Sequence, residues 1–444
     1  MMKNLLVTLS LVLFLGPVLK ATHLMGGEIT ARQVGPLSYE ITLITYRDTV
    51  GIPMQNKAKF VVRDSSGTSV VTTSTGQDTV FSGGLLQGIP YGVEVYKFVD
   101  TVLLPSQGQY TIGWDDCCRN GAIINMANPL SESMLFRTTV TANGANSTPT
   151  FLVPPVTFLP KGQPWQHNPL PVDMDGDSLV WSIDTPLTSS SQYVSGYVAP
   201  PADTSNPFTI NPQSGTITWT ADSTGNYVVS LLVEEYRKGQ KIGEIRRDMQ
   251  MVVVNNGNHL PNIANWGQFN QNSQGYSYAS VPAQSSFRKI IQVSDPDQYD
   301  QVHLQGYGEA FNLDQNPASL TIIPGTGSGN SVQAKLEWQP QSGQIRDEPY
   351  RVVLRTHDQQ FVQDYTLLIY VDTQVGLSQM PTLGTSVQLY PNPVQEHLRL
   401  EVDWPRKGLL QAEVYNTSGQ QVDEWESVLE KGQQELAHPV NFSR

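Results

Sequence analysis

The chain has 444 residues, a formal net charge of −13 and only 15% charged residues. Its polarity comes from Ser, Thr, Gly, Pro, Asn and Gln rather than from the Ala, Glu, Lys and Leu of helices, which points to β structure. An acidic surface repels phosphates and anionic lipid, and so argues against nucleic acid and membrane-surface partners.

Met1-Met2-Lys3-Asn4 is a short basic start followed by an apolar run from Leu5 to Leu19. That run is shorter than the roughly 20 residues a membrane span needs, and it suits a secretory signal peptide over residues 1–21. Cleavage after Ala21 removes Lys3 and Lys20, taking the charge from −13 to −15. No later segment is apolar enough to cross a bilayer, so the mature chain is expected to carry no transmembrane span.

Residues 22–142 form the first expected domain. Tyr39 to Tyr46 alternates apolar and polar residues as a half-buried strand does, and Asp64-Ser65-Ser66-Gly67 is a turn signal. The chain's two cysteines, Cys117 and Cys118, are adjacent. One pair is no disulfide framework, and the reading favoured here is two buried or reduced thiols; a vicinal disulfide, a redox pair or a metal site stays open.

Residues 143–256 and 257–372 read as two copies of one domain. Asp173-Met174-Asp175-Gly176-Asp177, Phe208-Thr209-Ile210-Asn211, Trp219 and Tyr227 recur as Asp295-Pro296-Asp297, Phe311-Asn312-Leu313-Asp314, Trp338 and Tyr350. The offsets are 122 from Asp173 to Asp295, 119 from Trp219 to Trp338 and 123 from Tyr227 to Tyr350. A repeat of about 115 residues suits a seven-stranded sandwich. The repeated Trp219 and Trp338 are expected in the two cores. Trp181, Tyr193 and Tyr197 offer an alternative use, a stacking surface for sugar rings. The predicted class is all-β: tandem β-sandwiches, stacked as a string of domains about 40 Å each.

Asp173, Asp175 and Asp177 put three carboxylates at alternate positions of a tight turn, a pattern able to surround a hard cation such as calcium. Asp295, Asp297 and Asp300 are the counterparts in the second copy. A solvated turn whose Asp side chains cap backbone N–H groups is the plainer alternative. No catalytic motif is found: there is no Gly-x-Ser-x-Gly elbow, His-Glu-x-x-His or P-loop. The chain is expected not to be an enzyme.

Three resemblances follow from these motifs. The duplicated units, with the linker Val254-Asn255-Asn256-Gly257-Asn258-His259-Leu260-Pro261, resemble the cadherin-like and immunoglobulin-like domains of bacterial surface proteins over about Asn146 to Asp372. That resemblance implies Glu235 and Asp358, at the ends of late strands, as further calcium ligands. The segment from Thr22-His23 through Gly26-Gly27-Glu28-Ile29 resembles the start of large gliding-associated proteins of Bacteroidota, although Thr49 stands where many of those carry a cysteine. After a linker at 373–384, residues 385–444 resemble the type A C-terminal sorting domain of type IX secretion, a small β-sandwich. Its marks here are Tyr390-Pro391-Asn392-Pro393 and Tyr415-Asn416-Thr417-Ser418-Gly419-Gln420-Gln421-Val422. Members continue past the point corresponding to Arg444, so the domain is expected to be incomplete.

Taken together, these resemblances imply a secreted or outer-surface protein exported by the type IX machinery, with the periplasm as its place if sorting fails. Its expected role is adhesion or structural binding of an extracellular protein or glycan. The alternative is a carbohydrate-binding accessory to a polysaccharide-degrading system.

Overall fold

The computed structural model describes residues 24–372 and 387–439, apart from 51–52, 80–83, 87–91, 202–205, 213, 273–274, 326, 328, 391–396, 405–407, 416–420 and 430–431. The expected signal peptide, the 373–384 linker, and the motif residues Pro391 to Pro393 and Asn416 to Gln420 lie outside the described residues. The chain is all-β and divides between Gln374 and Val375 into two compact units. No helix among the described residues is long and apolar enough to cross a membrane.

The first region contributes β1 (Leu24–Gly35), β2 (Ser38–Asp48), β3 (Lys57–Asp64), β4 (Ser69–Gly76), β5 (Gly84–Leu85), β6 (Val93–Leu103), β7 (Gly108–Asp116) and β8 (Met134–Ala142). In β2 the alternating Tyr39, Ile41 and Leu43 are fully buried, as the period of two requires. They share a core with Phe60, Phe98, Ile112 and Phe136.

The first repeat contributes β9 (Thr150–Phe151), β10 (Val156–Pro160), β11 (Trp165–His167), β12 (Pro171–Val172), β13 (Ser178–Asp184), β14 (Thr209–Ile210), β15 (Ile217–Trp219), β16 (Gly225–Arg237) and β17 (Gln240–Val254). The second contributes β18 (Asn262–Ile263), β19 (Asn270–Gln271), β20 (Ser277–Pro282), β21 (Phe287–Ser294), β22 (His303–Gly308), β23 (Ser319–Ile322), β24 (Ser331–Trp338), β25 (Arg346–His357) and β26 (Val362–Asp372).

The duplication extends to pairing and packing. β10 runs parallel to β17 as β20 does to β26. Trp165 pairs with Trp219 as Phe287 does with Trp338. Trp219 and Trp338 are buried and meet Tyr227 and Tyr350 edge-on, at 5.2 and 4.9 Å between centroids. Truncating either indole to alanine is expected to cost about 3–5 kcal/mol. One sequence correspondence is corrected. Ile210 pairs with Ile217, and Leu320 with Leu336 119 positions on, so the partner of Phe208–Asn211 is Ala318–Thr321. Phe311 instead belongs to a 3-10 turn, Glu309–Asn312.

β17 joins the first region to the first repeat. It pairs with β16 and β10 of its own repeat, and also with β1 and β8. The result is one twelve-stranded sheet that runs across position 142. Gly26 permits the crossing, because a Cβ there would lie 2.4 Å from the Asp248 carbonyl oxygen. Both faces of β17 are covered from Ile245 to Val253. Its buried charges are therefore paired: Arg247 with Glu28 through two 3.0 Å bonds, and Asp248 with Arg119 at 2.8 Å.

The two repeats are docked through a buried interface, where the sequence suggests a string of separate sandwiches. Trp165 Nε1 donates to the Val362 carbonyl at 2.8 Å, and the Asn168 N–H donates to Asp364 at 3.0 Å. Arg355 grips Asp364 at 2.7 and 2.9 Å, with His167 Nδ1 2.9 Å from the same carboxylate. Phe361 of the second repeat lies in the core of the first.

The C-terminal unit contains β27 (Val387–Tyr390), β28 (His397–Trp404), β29 (Gly408–Tyr415), β30 (Gln421–Leu429) and β31 (Gly432–Pro439). β27, β28 and β31 form one sheet and β29–β30 a second. Leu400, Val402 and Leu429 are buried together.

Candidate metal centre

In the first repeat, Asp173 Oδ1 accepts the N–H groups of Asp175 and Asp177, each at 2.9 Å, which closes the turn ahead of β13. Gly176 takes a φ of +80°, the left-handed conformation open to glycine, with nothing near its Cα face. Asp175 Oδ2 accepts the Ser147 N–H. Asp177 is held by the Arg237 guanidinium, whose Nε lies 2.7 Å away, and Arg237 also donates to Ala145 and Asn146. The three Asp carboxylates each place an oxygen within 4.8 Å of the others. Two ligands of one calcium ion, each about 2.4 Å from it, can be up to about 4.8 Å apart, so the triad fits a shared ion.

Glu235 comes from β16 and is fully buried, and neither carboxylate oxygen accepts a hydrogen bond among the described residues. The facing residue is Gly243, where a Cβ would lie 2.5 Å from Glu235 Oε2. Burial first, then the charge of Asp173, pushes the Glu235 carboxyl up to about 9. Burial likewise raises Asp173 to about 6, and its Oδ2 is also without a partner among the described residues. Buried carboxylate oxygens left unpaired are expensive, and a cation would satisfy them.

The second repeat repeats this knot. Asp295 Oδ1 accepts the Asp297 N–H at 2.8 Å, and Asp297 Oδ2 accepts the His259 N–H at 2.7 Å, as Asp175 does from Ser147. Asp295, Asp300 and Asp358 bring oxygens within 4.8 Å of one another. Asp297 stands outside this group; its carboxylate accepts the His259 backbone N–H and lies 3.1 Å from the His259 ring Nδ1. Burial raises Asp295 to about 6 and moves Asp358 and Asp300 upward. Asp295 Oδ2 has no partner among the described residues, whereas Asp358 accepts from Gln360, Phe361 and Asn258.

Sequence reading overlooked the linker's part in both knots. Asn146-Ser147-Thr148-Pro149 and Asn258-His259-Leu260-Pro261 share an Asn-x-x-Pro spacing, and each delivers a backbone N–H to the second Asp of its turn. Arg237 was overlooked as well; at the offset that relates Tyr227 to Tyr350, its counterpart is Gln360. The first knot therefore carries a guanidinium where the second has the carboxamide of Gln360.

Other candidate groups fall differently from expectation. Cys117 and Cys118 are bonded to each other in the loop after β7, with Cys117 exposed, so they are not two buried thiols. The Asp116 carboxylate accepts the Cys117 N–H. Trp181 is 2% exposed and cannot act as a sugar platform, whereas Tyr193 is exposed and Tyr197 half-buried.

Residues 388–442 match the family described as secretion system C-terminal sorting domain. No curated protein matches the chain. Among solved structures, an I-band fragment of titin is similar at 8% identity over 78% of this chain and 99% of its own, with a TM-score of 0.17. Human protocadherin-24 EC1-2 shows 16% identity over 52% of this chain and 100% of its own, with a TM-score of 0.17. An endo-fucoidan hydrolase of glycoside hydrolase family 107 shows 12% over 50% and 34%, with a TM-score of 0.18. Superpositions this poor carry no argument about activity. The family match assigns residues 388–442 to a type IX secretion system C-terminal sorting domain, which follows tandem β-sandwich repeats in the chain.

Proposed function

We propose that this protein is a non-enzymatic module of the outer cell surface or the secreted fraction, acting in adhesion or structural binding, whose repeats are fastened by calcium. The observation that carries the proposal is the repeated acidic knot with orphaned carboxylate oxygens on Glu235, Asp173 and Asp295. Each knot sits where a linker enters its sandwich, so an ion there would tie the linker Asn-x-x-Pro segment to the acidic turn. In the first repeat Asp173, Asp175 and Asp177 supply oxygens, with the buried Glu235 beside them but outside that group. In the second, Asp295, Asp300 and Asp358 do so, with Asp297 holding the linker instead. The sorting domain supports the location, through the secretion machinery that reads it.

Thermal melting of the full chain with EDTA and with millimolar calcium tests this reading. Calcium at about 100 times its Kd adds about 2.7 kcal/mol per site, which the melting temperature registers as a rise of several degrees. Equal melting temperatures in the two buffers would remove calcium from the account.

A further inference from the structure

The rung that joins the start of β22 to the end of β25 carries two histidines. His303 pairs with His357 in the antiparallel ladder, and their imidazoles stack with centroids 4.8 Å apart and planes 17° from parallel. The first repeat has no such pair. Leu304 pairs with Thr356 and Trp181 with Val233, which is Thr356 minus 123, so the equivalent rung there holds Val180 and Glu234. Glu234 is taken by Lys241.

The hydrogen bonding of His357 fixes which of its nitrogens is free. Its Nδ1 lies 3.1 Å from the Asp358 carbonyl oxygen. A carbonyl only accepts, so Nδ1 carries the proton and Nε2 keeps its lone pair. Histidines that ligate metals are oriented in this way, with the other ring N–H donated to a carbonyl or carboxylate. Neither His357 Nε2 nor the ring nitrogens of His303 make a hydrogen bond among the described residues. His357 is 8% exposed and held, whereas His303 is exposed and free to turn its ring about the side-chain bonds.

The spacing of the rings suits one shared ion. With metal–nitrogen bonds of about 2.0–2.1 Å, two imidazoles at adjacent positions of a tetrahedral or square ion have centroids about 4.5–5.2 Å apart. Imidazole nitrogens select zinc, nickel and copper, whereas calcium takes oxygens.

We infer that His303 and His357 form a site for a borderline divalent metal ion of the zinc, nickel and copper class, separate from the acidic knots. Among the described residues no third His, Cys, Asp or Glu clusters with the two rings. The remaining positions on the ion are therefore left to water, as in an open site rather than a closed structural one. The site does not rest on the calcium reading.

The test uses the full-length protein in millimolar calcium, with copper followed by electron paramagnetic resonance and zinc by titration calorimetry. One ion bound through two imidazole nitrogens is expected, with copper held more tightly than zinc. His303→Ala should weaken both metals tenfold or more while leaving the metal-free melting temperature unchanged, because its ring is exposed. His357→Gln should weaken them by at least the same factor. Absence of binding, affinities unchanged in His303→Ala, or bound copper without nitrogen hyperfine splitting overturns the inference.

Discussion

Glu235 is a fully buried acid whose two oxygens accept no hydrogen bond among the described residues, and burial and the charge of Asp173 outweigh the nearby Arg237 in disfavouring its ionisation. Glu235→Gln keeps the volume and removes the charge. It is expected to leave the melting temperature in EDTA unchanged or higher and to reduce the calcium-induced rise by half or more, read by scanning calorimetry. A purely structural Glu235 would give the mutant the full calcium response. The pair at the repeat interface behaves differently. Burial opposes ionisation of Asp364, but Arg355 and His167 outweigh it and hold the carboxyl well below the usual range. Burial lowers His167 and keeps it neutral. Both folded values are depressed, so the unfolded chain binds more protons and stability falls with acidification. The His167 contribution begins to be lost below about pH 6.5 and that of Asp364 below about pH 4. Asp364→Asn leaves Arg355 buried without its counter-charge and should cost about 3–5 kcal/mol at neutral pH, measured by urea unfolding.

At the scale of elements, the strand β17 decides the arrangement of the first region. Gly26→Ala would push a methyl group into the Asp248 carbonyl and is expected to destabilise the protein by about 1–3 kcal/mol. Denaturant unfolding checks this, and an unchanged midpoint would show that β1 need not cross β17 so closely. The need for Gly26 was not legible in the sequence, because the pairing joins residues more than two hundred positions apart. Local features were legible. The alternation of Tyr39 to Tyr46, the repeated Trp–Tyr pairs and the acidic turns all depend on neighbours within one hairpin or one repeat. Phe311–Asp314 misled for the opposite reason: it mimics the spacing of Phe208–Asn211, but the ladder partner of that segment is set by β24, whose pairing no local pattern announces. The acidic knots were half legible. The Asp positions could be read directly, while Asn146, Asn258 and His259 arrive from linkers and reveal themselves only through the repeated Asn-x-x-Pro spacing.

For the molecule as a whole, the shared sheet across position 142 and the buried dock between repeats predict that residues 24–372 unfold together. Calorimetry should show one transition for this unit, separate from any transition of the sorting domain; three separable transitions would restore the picture of independent sandwiches. Export is a second whole-molecule expectation. Deleting residues 388–444 should shift the protein from the surface or medium to the periplasm on fractionation, whereas unchanged delivery would mean that another segment carries the address. The claim on which the proposed role rests is that both knots hold calcium. Equilibrium dialysis of the full chain with radioactive calcium measures this directly. Two ions per chain are expected, one lost with Asp173→Asn and the other with Asp295→Asn. No bound calcium at millimolar concentration, or two ions retained by the double variant, would contradict it.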